Sequence, residues 1–431
     1  MHIEEWLARS ARRVPARVAL EDEQGEGITY AELDRIVGIA AGVLGVAPGT
    51  RVGIALAPGI DFAIALHACL RLGAVAVPVD LRDPRAPREP LVVDAPLPRT
   101  GARAVAPRAC DLGATALIVR TSGTSGAPKE VPLSAGNLLW SAIGSAVALG
   151  LDAAERWLCT LPLVHVGGLS IVLRSAIYGT TAVIHERFGL DAALDALHAR
   201  RITLVSVVAT TLGRLLDGGL AAPPALRCAL AGGGPVPPAL VERARTAGVA
   251  VSQTYGLTET CSQVATQAPG DPRPNAGPPL FCTRVEIACD GEILVSGPTV
   301  SPAAGPRLAT GDLGELLADG ALRVIGRKAD TIITGGENVA PSEVEAALEA
   351  HPAVLEAGVY GVADPRWGEA VQALVVLRAP AGEEELRRHC ATLLASFKVP
   401  KRIAVASALP RTPSGKLRRT ALAVDGGTAS P

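Results

Sequence analysis

Short apolar or β-branched runs alternate with helical patterns through the first 255 residues, and that alternation limits the fold more than any other feature. RVGIALA (51–57) reads as a buried strand, DFAIALHACLRLG (61–73) as a helix closed by Gly73, and AVAVPV (74–79) as the next strand. The alternation continues through TALIVR (115–120), a helix from about Ser134, RWLCT (156–160), a helix near 167–178 and TAVIH (181–185). TLVSVV (203–208), LRCALAG (226–232) and VAVSQTY (249–255) extend it. Strands that are apolar throughout are covered on both faces, and strand–helix–strand repetition builds parallel sheets. Residues 81–113 interrupt the pattern. LRDPRAPREP is too rich in proline for a regular element and reads as a surface connection. After about residue 280 the grammar changes to short strands in hairpins, TRVEIA, GEILVSG and ALRVIG, and from about 328 to a compact α+β unit. That unit holds the helix PSEVEAALEAH (341–351), the strands LEAGVYGV (355–362) and AVQALVVLR (370–378), and the helix GEEELRRHCATLLA (382–395). A chain of 431 residues exceeds one core of ordinary size, so the expectation is α/β in two domains, 1–327 and 328–431, with a disordered tail at DGGTASP.

The formal net charge is −1, which favours neither nucleic acid nor an anionic membrane as partner. No apolar run reaches the roughly 20 residues that span a bilayer. The N-terminus MHIEEWLARSARR has no apolar signal core, so a cytoplasmic location is expected. The eight cysteines show neither C-x-x-C nor zinc-site spacing, and the adjacent His389 and Cys390 make a poor metal site. The cysteines read as buried free thiols.

The segment TSGTSGAPKE (121–130) follows an apolar strand. Its glycines allow positive φ and close approach, its hydroxyls and backbone N–H groups can converge on phosphate oxygens, and Lys129 adds a mobile cation. It fails the Walker A pattern, because the spacing is G-x-x-G-x-x-K and no Ser or Thr follows the lysine. Four further segments recur in the same order: YGLTET (255–260), TGDLG (310–314), GRKADTIITGGENVAPSEVE (326–345) and PRTPSGKLRR (410–419). Together with the first they resemble the adenylate-forming enzymes, which include acyl- and aryl-CoA synthetases, luciferases and peptide-synthetase adenylation domains. The resemblance runs from about Trp6 to Arg419. It implies an N-terminal adenylation domain with a small β-barrel-like subdomain, and a small mobile C-terminal domain carrying the catalytic lysine.

The resemblance also implies a reaction in two halves and a set of residue roles. A carboxylate attacks the α-phosphate of ATP, and the acyl-adenylate then passes to a thiol, usually that of CoA. Thr121, Ser122, Gly123, Thr124, Ser125, Gly126 and Lys129 would hold the β- and γ-phosphates. Glu259 would hold Mg²⁺ and Thr258 would donate to the α-phosphate, with Tyr255 and Gly256 beside them. Gly232, Gly233, Gly234 and Pro235 resemble the adenine-contacting segment. Asp312 would accept from the ribose hydroxyls, as an acceptor-only carboxylate can, with Arg327 assisting. Lys416 would bridge the acid and the α-phosphate and then withdraw as the small domain turns. The turn would occur within GRKAD, where Ala329 replaces the family's usual aspartate or lysine, and would bring Gly335 and Gly336 to the thiol arm. Glu130 also departs from the family, which usually has a small residue there, and the sequence supplies no reason.

LPLVHVGGLSIVLRSAIYG (161–179) and YGLTETCSQV (255–264) resemble the o-succinylbenzoate–CoA ligases of menaquinone biosynthesis. That resemblance implies an aromatic dicarboxylate, taken into an apolar slot with a few polar groups. His165 is the first lining candidate, with Gly167, Gly168, Ser262 and Gln263. Arg174 lies nine residues further along the predicted helix, on roughly the opposite face, and reads as a surface or phosphate-side residue. Cys261 reads as packing and Asp217 as a solvated helix residue. No aspartate stands where α-amino-acid-activating domains hold an amino group, and no carrier motif follows. Another aryl- or acyl-CoA ligase and a stand-alone enzyme loading a carrier protein remain open. The oligomeric state is not read from the sequence, and a homodimer stays open.

Overall fold

The computed structural model describes residues 1–82, 89–101, 103–122, 128–411 and 417–425. They form two compact units. The first comprises Met1–Gly233, Arg243–Val285 and Leu294–Leu308, and the second comprises Gly234–Glu242, Glu286–Ile293 and Ala309–Pro431. The boundary falls among short strands that follow one another from Arg284–Ile287 to Leu322–Arg327.

Among the described residues the first unit contains two parallel-rich sheets. The larger has eight strands, with Val251–Tyr255, Cys228–Ala231, Leu204–Val207, Arg156–Cys159, Thr181–Ile184 and Val18–Asp22 side by side and parallel. Antiparallel strands, Ala265–Thr266 and Gly27–Thr29, close its two edges. The smaller sheet runs Val92–Val93, Arg51–Ile54, Val75–Pro78, Thr115–Ser122 and Pro128–Ser134. Val75–Pro78 in the smaller sheet and Thr181–Ile184 in the larger are buried throughout, as continuous Val, Ile and Ala runs require when both faces are covered. Both sheets contribute to one core, with Trp157, Leu20, Val52, Ile54, Leu117 and Leu133 fully buried.

The helices begin and end where local chemistry allows. Ser134 caps the helix Ala135–Leu149 by accepting from Asn137 N, while Asn137 Oδ1 accepts from Ser134 N. Gly73, at φ +69°, ends the helix Ile60–Leu72 in the left-handed region, which a Cβ would disfavour.

Two parts of the smaller sheet depart from expectation. The proline-rich connection contains the strand Val92–Val93, which lies parallel to Arg51–Ile54. Just before it, Glu89 is buried. A two-residue strand is too short to show a period. The segment after the glycine-rich loop is also a strand, Pro128–Ser134, antiparallel to Thr115–Ser122. Two prolines disguise it in the sequence, and an edge position tolerates them.

In the second unit, Gly368–Leu377 pairs with Val354–Asp364 and with the parallel strand Arg402–Val405. The sheet continues through Ile332–Thr334 and Glu337–Val339. Helices Pro341–Glu349 and Glu383–Leu393 cover it around Val344, Leu348, Val359, Val371, Val375 and Leu386. The expected α+β unit is present. Among the described residues no helix is long and apolar enough to cross a membrane.

Candidate active site

The glycine-rich segment joins the antiparallel strands Thr115–Ser122 and Pro128–Ser134. Gly123, Thr124, Ser125 and Gly126 lie outside the described residues. At its base Thr121 stands opposite Lys129, and Arg120 opposite Glu130. Side chains alternate along a strand, so Thr121 and Lys129 share one face and Arg120 and Glu130 the other.

Lys129 Nζ reaches Glu259, donating to Oε1 at 3.2 Å. Residues 129 and 259 are thus brought together from distant parts of the sequence. Glu259 sits in a single 3₁₀ turn, Thr258–Thr260, just past the strand Val251–Tyr255. Leu257 N donates to Thr260 Oγ1 at 3.0 Å, and Ser301 N donates to the Glu259 carbonyl at 2.7 Å. Cys261 and Ser262 then adopt φ of +53° and +94°. Positive φ in residues with a side chain stores strain, and surroundings must hold it in place. Ser141 Oγ does so by donating to the Cys261 carbonyl at 2.6 Å. Gly256 is required by the same turn, since a Cβ there would stand 1.5 Å from the Ser262 carbonyl oxygen.

The Cys261 thiol is buried and its pKa is pushed up to about 12 by desolvation, so it is a packing group and not a nucleophile. Gln263 is also buried. Its Nε2 donates to Thr266 Oγ1 at 2.9 Å, and its Oε1 has no partner among the described residues. Gly232 ends the strand Cys228–Ala231, and a Cβ there would meet Thr254 Cγ2 at 2.7 Å. Gly233 has φ +80°. Gly234 and Pro235 belong to the second unit.

His165 immediately precedes the helix Val166–Tyr178. Its Nε2 lies 3.4 Å from Arg82 Nη2. Asp80 grips Arg82 through Nε and Nη2, each at 2.7 Å, and the guanidinium holds the Asp80 carboxyl below the usual carboxylate range. Gly167 and Gly168 form the first turn. A Cβ on Gly168 would meet the Pro162 carbonyl at 2.6 Å.

Arg174 does not lie on the surface, contrary to the expectation from helical spacing. It is 3% exposed, its guanidinium is 5.7 Å from the Trp157 ring centroid, and Nη2 donates to Ser141 Oγ at 3.0 Å. The helix is buried continuously from Gly168 to Ala176, so its far face is packed as well. Sequence spacing also overlooked Glu89, Arg51, Arg82 and Ser141. The first two lie outside any recognisable motif, and only the stacking of separate strands in one sheet brings them together.

In the second unit Asp312 and Arg327 are cross-strand partners on the hairpin Leu308–Leu316 and Leu322–Arg327. Arg327 Nε donates to Asp312 Oδ1 at 2.7 Å, and Asp312 is 5% exposed. Gly335 and Gly336, at φ +60° and +84°, make the two-residue turn between Ile332–Thr334 and Glu337–Val339. Lys416 lies outside the described residues. The segments on either side of it are anchored. Arg411 pairs with Glu356 at 2.9 Å, and Arg419 bonds Asp330, Glu345 and the Val359 carbonyl.

Chemically the first unit offers a mobile ammonium beside one carboxylate. Among the described residues no group of three or more His, Cys, Asp or Glu could hold a metal alone. A lone carboxylate such as Glu259 is a donor that Mg²⁺ can use, since that ion completes its shell with water and substrate phosphates.

Comparison with known proteins accounts for both units. Residues 7–96 and 82–303 match the family described as AMP-binding enzyme, and residues 343–416 match the AMP-binding enzyme C-terminal domain. The 2-succinylbenzoate–CoA ligase of Bacillus subtilis (strain 168) is 36% identical over 471 aligned positions, covering 97% of each chain. A solved structure of o-succinylbenzoate CoA synthetase from Bacillus subtilis, in complex with the acyl-adenylate intermediate, matches with a TM-score of 0.86 at 34% identity. It covers 98% of each chain. The same protein in complex with ATP and magnesium matches with a TM-score of 0.85, covering 98% of this chain and 100% of that one. The chain therefore belongs to the AMP-binding, adenylate-forming enzymes, and is an AMP-forming acyl-CoA ligase.

Proposed function

We propose that this ligase activates 2-succinylbenzoate, an aromatic dicarboxylate, and passes it to CoA. The observation that carries the chemistry is Lys129 Nζ standing 3.2 Å from Glu259 at the base of the glycine-rich hairpin. In this reading Lys129 leaves Glu259 for the β- and γ-phosphates, and the freed carboxylate takes Mg²⁺. Bound there, Mg²⁺ supplies positive charge to phosphate oxygens. Thr258 donates at the α-phosphate, Asp312 accepts from the ribose with Arg327 beside it, and Lys416 spans the acid and the phosphate. An anionic acid must approach an anionic phosphate, and these cations and donors offset that repulsion. The division near residue 327 and the turn at Ala329 belong to the same proposal, with Gly335 and Gly336 lining the thiol's approach.

The choice of acid rests on the full-length relatives that bear this substrate in their names. The test is AMP release with ATP, Mg²⁺, CoA and 2-succinylbenzoate, set beside benzoate and medium-chain fatty acids. The proposal expects kcat/KM at least about 100-fold higher for the dicarboxylate, because benzoate would leave the groups that meet the second carboxylate unmatched. Equal use of benzoate would discard the assignment and keep the ligase.

A further inference from the structure

Glu130, which replaces the family's small residue directly after the phosphate-loop lysine, has a defined place in the fold. It faces away from Lys129, into a cluster of two arginines and two glutamates. Arg51 donates through Nη2 and Nη1 to Glu130 at 2.6 and 3.0 Å, and through Nε and Nη2 to Glu89, both at 2.8 Å. Arg120 donates through Nη2 to Glu130 at 3.0 Å and also to Glu89. Arg120 precedes the loop and Glu130 follows it, and the two are paired in register across its base. Arg51 ties both to the strand Arg51–Ile54, which Val75–Pro78 separates from the hairpin. The arrangement is half-buried, with the Glu89 side chain 5% and the Arg120 side chain 12% exposed, so water screens it incompletely.

The opposite face of the hairpin carries Thr121 and Lys129, in line with the core residues Val119 and Val131. One face therefore grips the sheet while the other is left for the nucleotide. We propose that Glu130, through Arg51 and Arg120, is a positioning residue that holds the two strands of the glycine-rich hairpin at the separation and register its phosphate contacts need. Glu130 touches no substrate. The inference rests on the reading that this loop and Lys129 hold ATP phosphates.

Charge alone and positioning predict opposite signs, which makes the test sharp. Removing the carboxylate leaves one extra positive charge near the loop, and bare electrostatics would then tighten an anion. Positioning predicts weaker ATP binding despite that gain. The experiment measures acid-dependent exchange of pyrophosphate into ATP, and separately thioester formation from supplied acyl-adenylate and CoA. The proteins compared are wild type, Glu130→Gln, Arg51→Met, the double variant and Lys129→Ala.

Glu130→Gln should raise the KM for ATP about tenfold, as small displacements of binding groups do, and leave thioester formation from the adenylate unchanged. Arg51→Met should act similarly, and the double variant should be no worse than the worse single one, because the groups act as a unit. An ATP KM that is unchanged or lowered in Glu130→Gln overturns the proposal. So does an equal loss in both half-reactions, which marks general damage. If Lys129→Ala leaves the ATP KM untouched, the phosphate reading of the loop itself falls, and this inference falls with it.

Discussion

Ser141 has one hydroxyl proton and spends it on the Cys261 carbonyl, while its lone pairs receive Arg174. A single buried side chain thereby restrains a turn whose next residues have positive φ and whose previous ones include Thr258 and Glu259. Ser141→Ala leaves both a buried carbonyl and a buried guanidinium short of a partner. Expected is a loss of about 1–3 kcal/mol, read as a lowered midpoint in chemical denaturation. A midpoint equal to wild type would mean that the turn holds its shape unaided. Little of this was legible beforehand. The motif YGLTETCSQ announces a special loop, but the serine that steadies it lies 120 positions away from Cys261. Arg174 was misplaced for a related reason. Helical spacing gives the angle between two side chains, whereas burial depends on what packs against each face.

The elements were easier to read than their contacts. Strands such as Thr181–Ile184 and helices such as Ile60–Leu72 lie within a residue or two of the apolar runs that announce them. Their burial on both faces follows from composition alone. The hairpin strand Pro128–Ser134 was hidden because its pairing partner, not its own pattern, makes it a strand. The helix Pro341–Glu349 offers a test at this scale. Its last residue, Glu349, is half-buried against the strand Val354–Asp364 and accepts from Ala357 N at 3.2 Å. Burial pushes its pKa up from 4.5 to about 7, with Glu345 and Glu356 adding to the effect and Arg411 opposing it. Between those two values the folded protein keeps a proton that the unfolded chain has released. Stability therefore falls as pH rises through this window, and above about pH 7 the full penalty is present. Glu349→Gln removes the titration while keeping an oxygen for Ala357. The variant should gain on the order of 2 kcal/mol relative to wild type at pH 8, with the advantage shrinking toward pH 5. Thermal melts of both proteins across that range decide it, and parallel curves would refute the assignment.

For the molecule as a whole, the proposed chemistry asks one protein to serve two reactions with different needs, and Lys416 is the residue that separates them. Lys416→Ala should slow adenylate formation by roughly 10²–10³, the usual effect of losing one transition-state contact, and largely spare thioester formation from supplied acyl-adenylate. Equal losses would remove Lys416 from its assigned place. The segment bearing it lies between two anchored residues of the second unit, and one of those anchors matters for any swing of that unit. Arg419, three positions past Lys416, is fastened to Asp330, the neighbour of Ala329, and to Glu345 on the following helix. Arg419 thus ties the residue beside Ala329 to the helix that follows it. In the proposed turn at Ala329 this tie would carry Arg419 along with its neighbours, and loosening it would let the chain beyond residue 416 lag behind the pivot.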